Sequence, residues 1–298
     1  MDEMKLFSVI IVSYLRYKDL KECLGSIVNH LAAPEHSEII VIDNAGTDEC
    51  RNICEQFPVK YINAGTNLGV SGGRNLGIKM SKGDLLFFID DDAEAATLYF
   101  DRLIRDRLKP PAGILAFKVL NYQTGKPNPG ELPFRGKNYK AINSSRLVSY
   151  FVGAAFALDR SLADEIGGFA EDFFYGAEEL EFSYRTLLHD WKIYYTPEIT
   201  VLHKKSMIRT TNKTRYYHTL KNRFVAGARY LPFPYCLVNL SLWSLVMLFQ
   251  SIGDRAFKEW AAGLIKGLSA FSRERRHARP LDRKTMDYLR AHEGRLWF

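Results

Sequence analysis

Residues 83–92 read GDLLFFIDDD. Gly83 and Asp84 are turn formers, Leu85–Ile89 are apolar without a break, and the run stops on Asp90, Asp91 and Asp92. A continuous rather than alternating apolar run predicts a strand covered on both faces, as in a parallel sheet. Three adjacent carboxylates at its end repel one another unless a cation or strong donors neutralise them. A hard divalent ion with oxygen ligands, Mg²⁺ or Mn²⁺, answers that need. Side chains at i and i+2 of a strand end share a direction, so Asp90 and Asp92 are expected on one ligand, with Asp91 turned elsewhere.

Upstream, residues 6–13 (LFSVIIVS), 38–43 (EIIVID) and 59–63 (VKYIN) repeat the short Val- and Ile-rich pattern of strands. Between the first two, Leu20, Cys23, Leu24, Ile27, Val28 and Leu31 recur at helical spacing, and NAGTDE after Asp43 leads through turn formers and a cap into a helix ending near Phe57. The order βαβαβαβ predicts a doubly wound α/β half, whose ligands bind beyond the carboxyl ends of the strands. Ser13–Arg16, Asp43–Asn44 and Asp90–Asp92 lie at three such ends and are expected to converge on one crevice. The Gly-rich NLGVSGGRNLG at 67–77 is neither a Walker loop nor Gly-x-Gly-x-x-Gly. Its glycines permit close backbone approach at a helix start, with Arg74 available for a phosphate.

Downstream, residues 120–143 are punctuated by Gly, Pro and Asn and are expected to form a long loop or hairpin flap. After the apolar VSYFVGAAFALDR at 148–160, the segment GGFAEDFFYGAEELEFSYRTLLHDW at 167–191 takes helical periodicity with Glu178, Glu179 and Glu181 at its start. Acids there complement the helix dipole. The aromatic FFYGA before them also offers a surface that desolvates a carboxylate and raises its pKa toward the range of a general base. His203, ending the strand-like KIYYTPEITVLH, is a candidate metal ligand.

The chain has 298 residues, 47% of them apolar, and a net charge of +7. That composition excludes disordered and collagenous classes. The charge is unevenly placed: residues 1–202 hold 22 Lys and Arg against 28 Asp and Glu, a net −6, and residues 203–298 hold 19 against 6, a net +13. Cys23, Cys50, Cys54 and Cys236 have neither zinc-ribbon spacing nor the density of a disulfide framework, which suits a reducing cytosol. MDEMKLFSVIIVSY has no basic leader region and is expected to enter the first strand directly. In the basic part, YCLVNLSLWSLVMLFQSI at 235–252 is expected to be a buried or interfacial helix. AFKEWAAGLIKGLSAF at 256–271 places Phe257, Trp260, Ala261, Leu264, Ile265, Leu268 and Phe271 on one helical stripe, before the basic RERRHAR. Together, 235–279 are expected to meet an anionic membrane surface. The aromatic residues keep to the apolar stripe instead of interleaving with basic ones, which argues against nucleic acid as a partner.

In order along the chain, SVIIVSYLR (8–16), IIVIDNAGTDE (39–49), NLGVSGGRNLGI (67–78), GDLLFFIDDDAE (83–94), GGFAEDFFYGAEELEFSYR (167–185) and VLH (201–203) resemble the inverting glycosyltransferases of family 2, including rhamnosyltransferase-like members. The resemblance covers roughly residues 5–205. It implies a GT-A fold with a mainly parallel central sheet, in a catalytic domain of residues 1–205 divided into a nucleotide-sugar half to about 95 and an acceptor half from about 96, followed by a helical extension at 206–298. It implies a donor site of Ser13, Tyr14, Arg16, Asp43, Asn44, Asn67, Gly69, Arg74, Asp90 and Asp91, and a metal site of Asp90, Asp92 and His203 for Mg²⁺ or Mn²⁺. An aspartate at position 43 suits the N3–H of uracil or thymine, hence a UDP- or dTDP-sugar. The family's Glu-Asp-x-Asp motif is matched by Glu178-Glu179-Leu180-Glu181, which assigns Glu179 as the base and Glu178 as its substitute. Glutamate in place of aspartate carries the base about one methylene further. The implied activity is transfer of a sugar to a glycan or lipid-linked glycan in cell-surface polysaccharide synthesis, by a cytoplasmic enzyme peripheral to the inner membrane face. A nucleotidyltransferase or phosphotransferase of similar architecture, and a non-catalytic nucleotide-sugar binding protein, are the alternatives.

Overall fold

In a computed structural model that describes residues 7–30, 37–97, 112–134, 142–204, 209–294 and 296, the apolar runs that end at Ser13, Asp43 and Asp90 lie side by side in one sheet. Strands β1 (Phe7–Ser13), β2 (Ser37–Asp43), β3 (Lys60–Asn63) and β4 (Leu85–Asp90) are parallel, in the order β3-β2-β1-β4. Their connections are helices α1 (Tyr17–Val28), α2 (Asp48–Cys54) and α3 (Gly69–Met80). Ser13 pairs with Asp43, Asp43 with Asn63 and Val12 with Asp90, so the polar strand ends form one row. The polar ends expected to converge therefore stand side by side at one edge of the sheet.

The continuous apolar runs are explained by cover on both faces. Val9 and Ile11 pack with Leu20, Leu24 and Ile27 of α1 and with Cys50 and Cys54 of α2. Ile10 points the other way, into a core shared with Leu86 and Phe88, and α3 closes on that face through Gly73 and Gly77.

The second half of the sheet is mixed, antiparallel except where β6 and β9 run parallel. It comprises β5 (Ala93–Thr97), β6 (Ala112–Asn121), β7 (Arg146–Val148), β8 (Ala155–Asp159) and β9 (Lys192–His203), with helices α4 (Arg160–Ile166) and α5 (Glu178–Leu188) between β8 and β9. The order continues β4-β8-β6-β9-β5, and β7 also pairs with β9. Only Asp91 and Asp92 separate β4 from β5, and β5 runs antiparallel to β9 with Ala93 opposite His203. This register brings the end of β9 to the acidic strand end. Within the expected flap, Leu132, Phe134 and Ile142 are buried in the core, and residues 135–141 lie outside the described residues, as do 1–6.

Beyond β9 come α6 (Arg209–Tyr230), α7 (Phe233–Gly253), α8 (Phe257–Glu274) and α9 (Arg283–Ala291). The change of charge near residue 205 is not a boundary of packing. Leu180, Tyr184 and Leu187 of α5 share one core with Tyr216, Leu220 and Phe224 of α6 and Leu240 and Met247 of α7. The stripe expected on α8 divides: Trp260, Leu264 and Phe271 pack against this core, whereas Phe257, Ile265 and Leu268 are exposed. The physical reason is close packing by small residues, since Gly263, Gly267 and Ala270 form the buried face of α8, and a Cβ at Gly263 would stand 2.8 Å from the Tyr217 carbonyl oxygen.

Candidate active site

The three aspartates after β4 do different things. Asp91 is buried, accepts a hydrogen bond from Ser13 Oγ at 2.9 Å, and takes the Arg16 guanidinium at 3.0 Å. The Tyr14 backbone N–H also donates to it, at 3.4 Å. Burial pushes the Asp91 carboxyl up to about 7 against the pull of Arg16. Leu15, between these partners, has φ of 58°, a conformation that costs a non-glycine residue roughly 1 kcal/mol or more and is held only by its surroundings. Tyr14 is 42% exposed at the rim.

Asp90, Asp92 and His203 converge. One ligand atom from each lies within 4.8 Å of the others. Two carboxylates and an imidazole are a donor set that suits Mn²⁺ and, through its oxygens, Mg²⁺. His203 Nε2 is 3.2 Å from Asp92 Oδ1, and Nδ1 is 2.8 Å from Glu131 Oε1. Glu131 therefore orients the ring from behind, as carboxylates do for metal-binding histidines. Burial alone would lower the His203 pKa, but the hydrogen bonds to Asp92 and Glu131 raise it to about 10. Arg16 Nη1 lies 3.1 Å from Asp92 as well.

Asp90 also belongs to a cavity of about 300 Å³ lined by Arg74, Glu178, Glu179, Tyr175, Arg215 and Thr219, among others. Arg74, from α3, is buried in its wall: Nη2 donates to the Gly153 carbonyl at 2.9 Å and lies 3.4 Å from Asp90 Oδ1, and Nη1 lies 3.4 Å from Glu178 Oε1. The Phe156 and Phe169 rings lie 5.3 and 5.4 Å from the guanidinium. Arg74 thus bridges the strand-end acids and the helix-start acids.

Glu178, Glu179 and Glu181 divide in turn. Glu181 is buried and structural, bonded to Arg185 at 2.7 and 2.8 Å and accepting from the Tyr230 hydroxyl at 2.7 Å. Glu178 is also buried, and its Oε2 has no hydrogen-bond partner. Burial, then the charge of Glu179, push its carboxyl up to about 8 against the pull of Arg74. Glu179 is half-buried in the cavity wall. Its carboxylate rests against Gly153, where a Cβ would stand 2.2 Å from Oε1, so this position tolerates no side chain while Glu179 stays in place. Helix α5 is entered through Gly176 (φ 78°) and Ala177 (φ 68°). Asn222 of α6 fixes that turn by donating to the Tyr175 and Gly176 carbonyls at 3.0 and 2.7 Å.

The remaining donor-side candidates form a second hydrogen-bonded group. Asp43 is buried, and its carboxylate accepts from the Ala45 and Thr47 N–H groups and the Tyr61 hydroxyl, each at 2.9 Å. The Cys50 side chain lies against the same carboxylate. Asn44 donates to the Gly69 carbonyl, and Asn67 accepts from the Gly69 N–H, both at 2.9 Å. Gly69 has φ of 70° and approaches Phe174 so closely that a Cβ would meet its carbonyl oxygen at 2.3 Å. Ser13, Asp43, Asn44, Asn67 and Gly69 hold the loops around the crevice, while Arg74, Asp90, Glu178 and Glu179 line the cavity itself.

Glu131, Gly153, Tyr175, Arg215 and Thr219 were not legible as site residues. Glu131 is a lone acid in a Pro- and Gly-rich loop, and Arg215 and Thr219 lie in the basic segment read for its charge. Only Tyr175 had a signal, as part of the aromatic run before Glu178.

Residues 8–167 match the model of the family described as glycosyl transferase family 2. The chain is 27% identical over 236 residues to a low-salt glycan biosynthesis hexosyltransferase of Haloferax volcanii, covering 74% of this chain and 75% of that protein. It is 27% identical over 220 residues to a validoxylamine A glucosyltransferase of Streptomyces hygroscopicus subsp. limoneus, covering 62% of this chain and 48% of that one. Among solved structures, GalNAc-T7 with UDP, GalNAc and Mn²⁺ superposes with a TM-score of 0.61 at 17% identity over 80% of this chain, which spans 51% of that structure. A mannosyltransferase from Pyrobaculum calidifontis in complex with GDP-Man and Mn²⁺ superposes with a TM-score of 0.55 at 14% identity, covering 97% of this chain and 80% of that one. These neighbours establish the GT-A fold, with its mixed central sheet and C-terminal helices. With more than half its length matched by the family model and the acidic strand end facing the acidic helix start, the chain belongs to glycosyl transferase family 2.

Proposed function

We propose that the chain is a metal-dependent inverting hexosyltransferase that moves a sugar from a UDP- or dTDP-sugar to a hydroxyl of a glycan or lipid-linked glycan in cell-surface polysaccharide synthesis. The observation that carries this reading is the double membership of Asp90, which belongs both to the metal-competent trio and to the wall of the cavity that holds Glu179. The donor's diphosphate and the acceptor's proton therefore have adjacent places.

Glu179 takes the proton of the attacking hydroxyl as the bond to the anomeric carbon forms. Glu178, kept neutral by burial, places no second negative charge beside it. Arg74 is fixed by Gly153 and by the two flanking aromatic rings, so its positive charge stands ready near the departing diphosphate without reorganisation. A divalent ion held by Asp90, Asp92 and His203 would supply charge stabilisation for the diphosphate. Attack opposite the leaving group inverts the anomeric carbon, and no covalent glycosyl-enzyme is needed. The pyrimidine is assigned to Asp43, whose carboxylate is held in place by the Ala45 and Thr47 N–H groups and the Tyr61 hydroxyl. Four free, buried cysteines support a cytoplasmic setting.

The test is a thermal-shift screen of UDP-, dTDP- and GDP-sugars with Mn²⁺ and with EDTA. A ligand at one hundred times its Kd stabilises the fold by about 2.7 kcal/mol. A UDP- or dTDP-sugar should raise the melting temperature only with metal. Selective stabilisation by a GDP-sugar would overturn the pyrimidine assignment, and equal stabilisation in EDTA would overturn the metal.

A further inference from the structure

Ten of the large hydrophobic side chains exposed among the described residues fall between Phe233 and Leu268. Most belong to α7, which has 21 residues and no charged one. At 100° per residue, Leu237, Val238, Leu242, Leu245, Phe249 and Ile252 fall within an arc of about 140°, interrupted by one polar side chain, Ser241. Phe249 is 70% exposed and Leu245 is 50% exposed. Phe257, Ile265 and Leu268 continue the exposed apolar surface on α8. Such a contiguous patch on an otherwise charged chain marks a surface that something covers.

We propose that the α7–α8 hairpin lies in the plane of an anionic lipid surface, with this ridge sunk into the acyl boundary and basic side chains on the headgroups. Charge selects the occupant. Exposed Arg255, Lys258 and Lys266 belong to the same hairpin, against Asp254 and Glu259; its third acid, Glu274, is already paired with Arg229 at 2.9 Å and with Arg273 at 3.1 Å. Asp254 is already engaged by the Tyr216 hydroxyl at 2.6 Å and by Arg215 at 3.3 Å. A two-fold contact between copies of this chain would set these cations against themselves, whereas anionic headgroups complement them.

The hairpin lies on the bilayer and does not cross it. Length and hydropathy alone would let α7 span, with a mean of 1.6 over its best window. Its opposite face is committed to protein: Cys236, Leu240 and Met247 are in the core with α5 and α6, and Asn239 donates to the Leu296 carbonyl at 3.2 Å. A helix with one face packed on protein and the other bare has the form of an interfacial anchor. Its turn is tied through Asp254 to Arg215, which lines the cavity, so docking would set the cavity beside the membrane, within reach of a lipid-borne acceptor. The proposal rests on this surface and not on the transfer reaction.

The test uses the full chain with sedimentable phosphatidylcholine vesicles, with and without phosphatidylglycerol. The wild type should pellet with anionic vesicles at least tenfold more than with neutral ones, and L245E/F249E should lose at least tenfold of that binding while keeping its metal-dependent donor thermal shift. A wild type that stays in the supernatant with both vesicles, or a variant that pellets like the wild type, overturns the proposal. Sedimentation velocity adds a second measurement: a dimer dispersed by L245E/F249E, with no vesicle binding, assigns the ridge to a second copy and overturns it. An environment-sensitive dye on L245C, the native cysteines being buried, should shift to the blue on anionic vesicles, and the same dye on K82C should not. Retention on vesicles through an alkaline carbonate wash would show a span and overturn the in-plane placement.

Discussion

Asp90–Asp92 and Glu178–Glu181 present the same problem, three acids within four residues, and the fold solves it in two ways. Each group gives one acid to an arginine: Asp91 to Arg16, Glu181 to Arg185. Each is held by a turn with a left-handed non-glycine residue, Leu15 in the loop that grips Asp91 and Ala177 immediately before Glu178. The remaining pairs then diverge. Asp90 and Asp92 meet His203 in a cluster whose donors suit a cation, whereas Glu178 is buried with one carboxylate oxygen unpartnered and its pKa pushed up to about 8, and Arg74 stands 3.4 Å from both Asp90 and Glu178. The strand end meets its charge with Arg16, Arg74 and His203, and the helix start with Arg74, Arg185 and the burial of Glu178.

The sharpest way to break this contrast is Glu179→Gln. It should cost two to four orders of magnitude in transfer, about the worth of a general base, while metal-dependent donor binding persists. Unchanged transfer would remove Glu179 from the role of base. Gly153→Ala comes next, because its methyl group would occupy the space of the Glu179 carboxylate, 2.2 Å from Oε1. The methyl group would also stand 2.9 Å from Arg74 Nη2, so the variant should keep its fold, lower kcat about a hundredfold and raise donor Kd by a smaller factor by calorimetry. If kcat holds and donor Kd rises, Gly153 serves the donor site instead.

Glu181→Gln should do the opposite. Loss of one partner from a buried ion pair costs about 3 kcal/mol, so the urea midpoint should fall while kcat of the folded enzyme stays near the wild-type value. A large loss of kcat with an unaltered midpoint would move Glu181 from structure to chemistry. The smallest effect is a pH trend in Glu178→Gln. The folded-state pKa of Glu178, about 8, lies above the ordinary 4.5, so its contribution is fully present below about 4.5 and is lost as pH rises through about 8. Glu178→Gln should therefore gain in urea midpoint relative to the wild type as pH rises across that window, and a relative loss would show that Glu178 is ionised in the fold.

Where hydrophobic patterning and strand-end chemistry coincide, the sequence was informative. The four buried runs β1 to β4 announced themselves by continuous Val, Ile, Leu and Phe, and the register that lines up Ser13, Asp43 and Asp90 follows from their parallel order. The convergence of Asp90 with Asp92 followed from strand alternation. The reversal after Asp92 was less legible, because β5 is the short AEAAT, whose pairing with β9 lies more than a hundred residues away. Glu131 escaped for the same reason: its partnership with His203 spans 72 residues and leaves no local mark. In the basic segment, charge reports on solvent-facing side chains, while the packing is decided by Leu220, Phe224 and Leu240, which share a core with α5. On α8 the stripe of large residues drew attention away from Gly263 and Gly267, which make the closer contact.

The most direct test of the division between the two acidic groups is calorimetric titration of UDP into the wild type, Asp92→Asn and Glu179→Gln, each with Mn²⁺ and with EDTA. The wild type and Glu179→Gln should bind with similar affinity in Mn²⁺ and lose at least tenfold in EDTA, while Asp92→Asn should be weak in both. Binding that ignores EDTA, or binding lost in Glu179→Gln and retained in Asp92→Asn, would contradict the assignment of metal and donor to the strand end and of the base to the helix start.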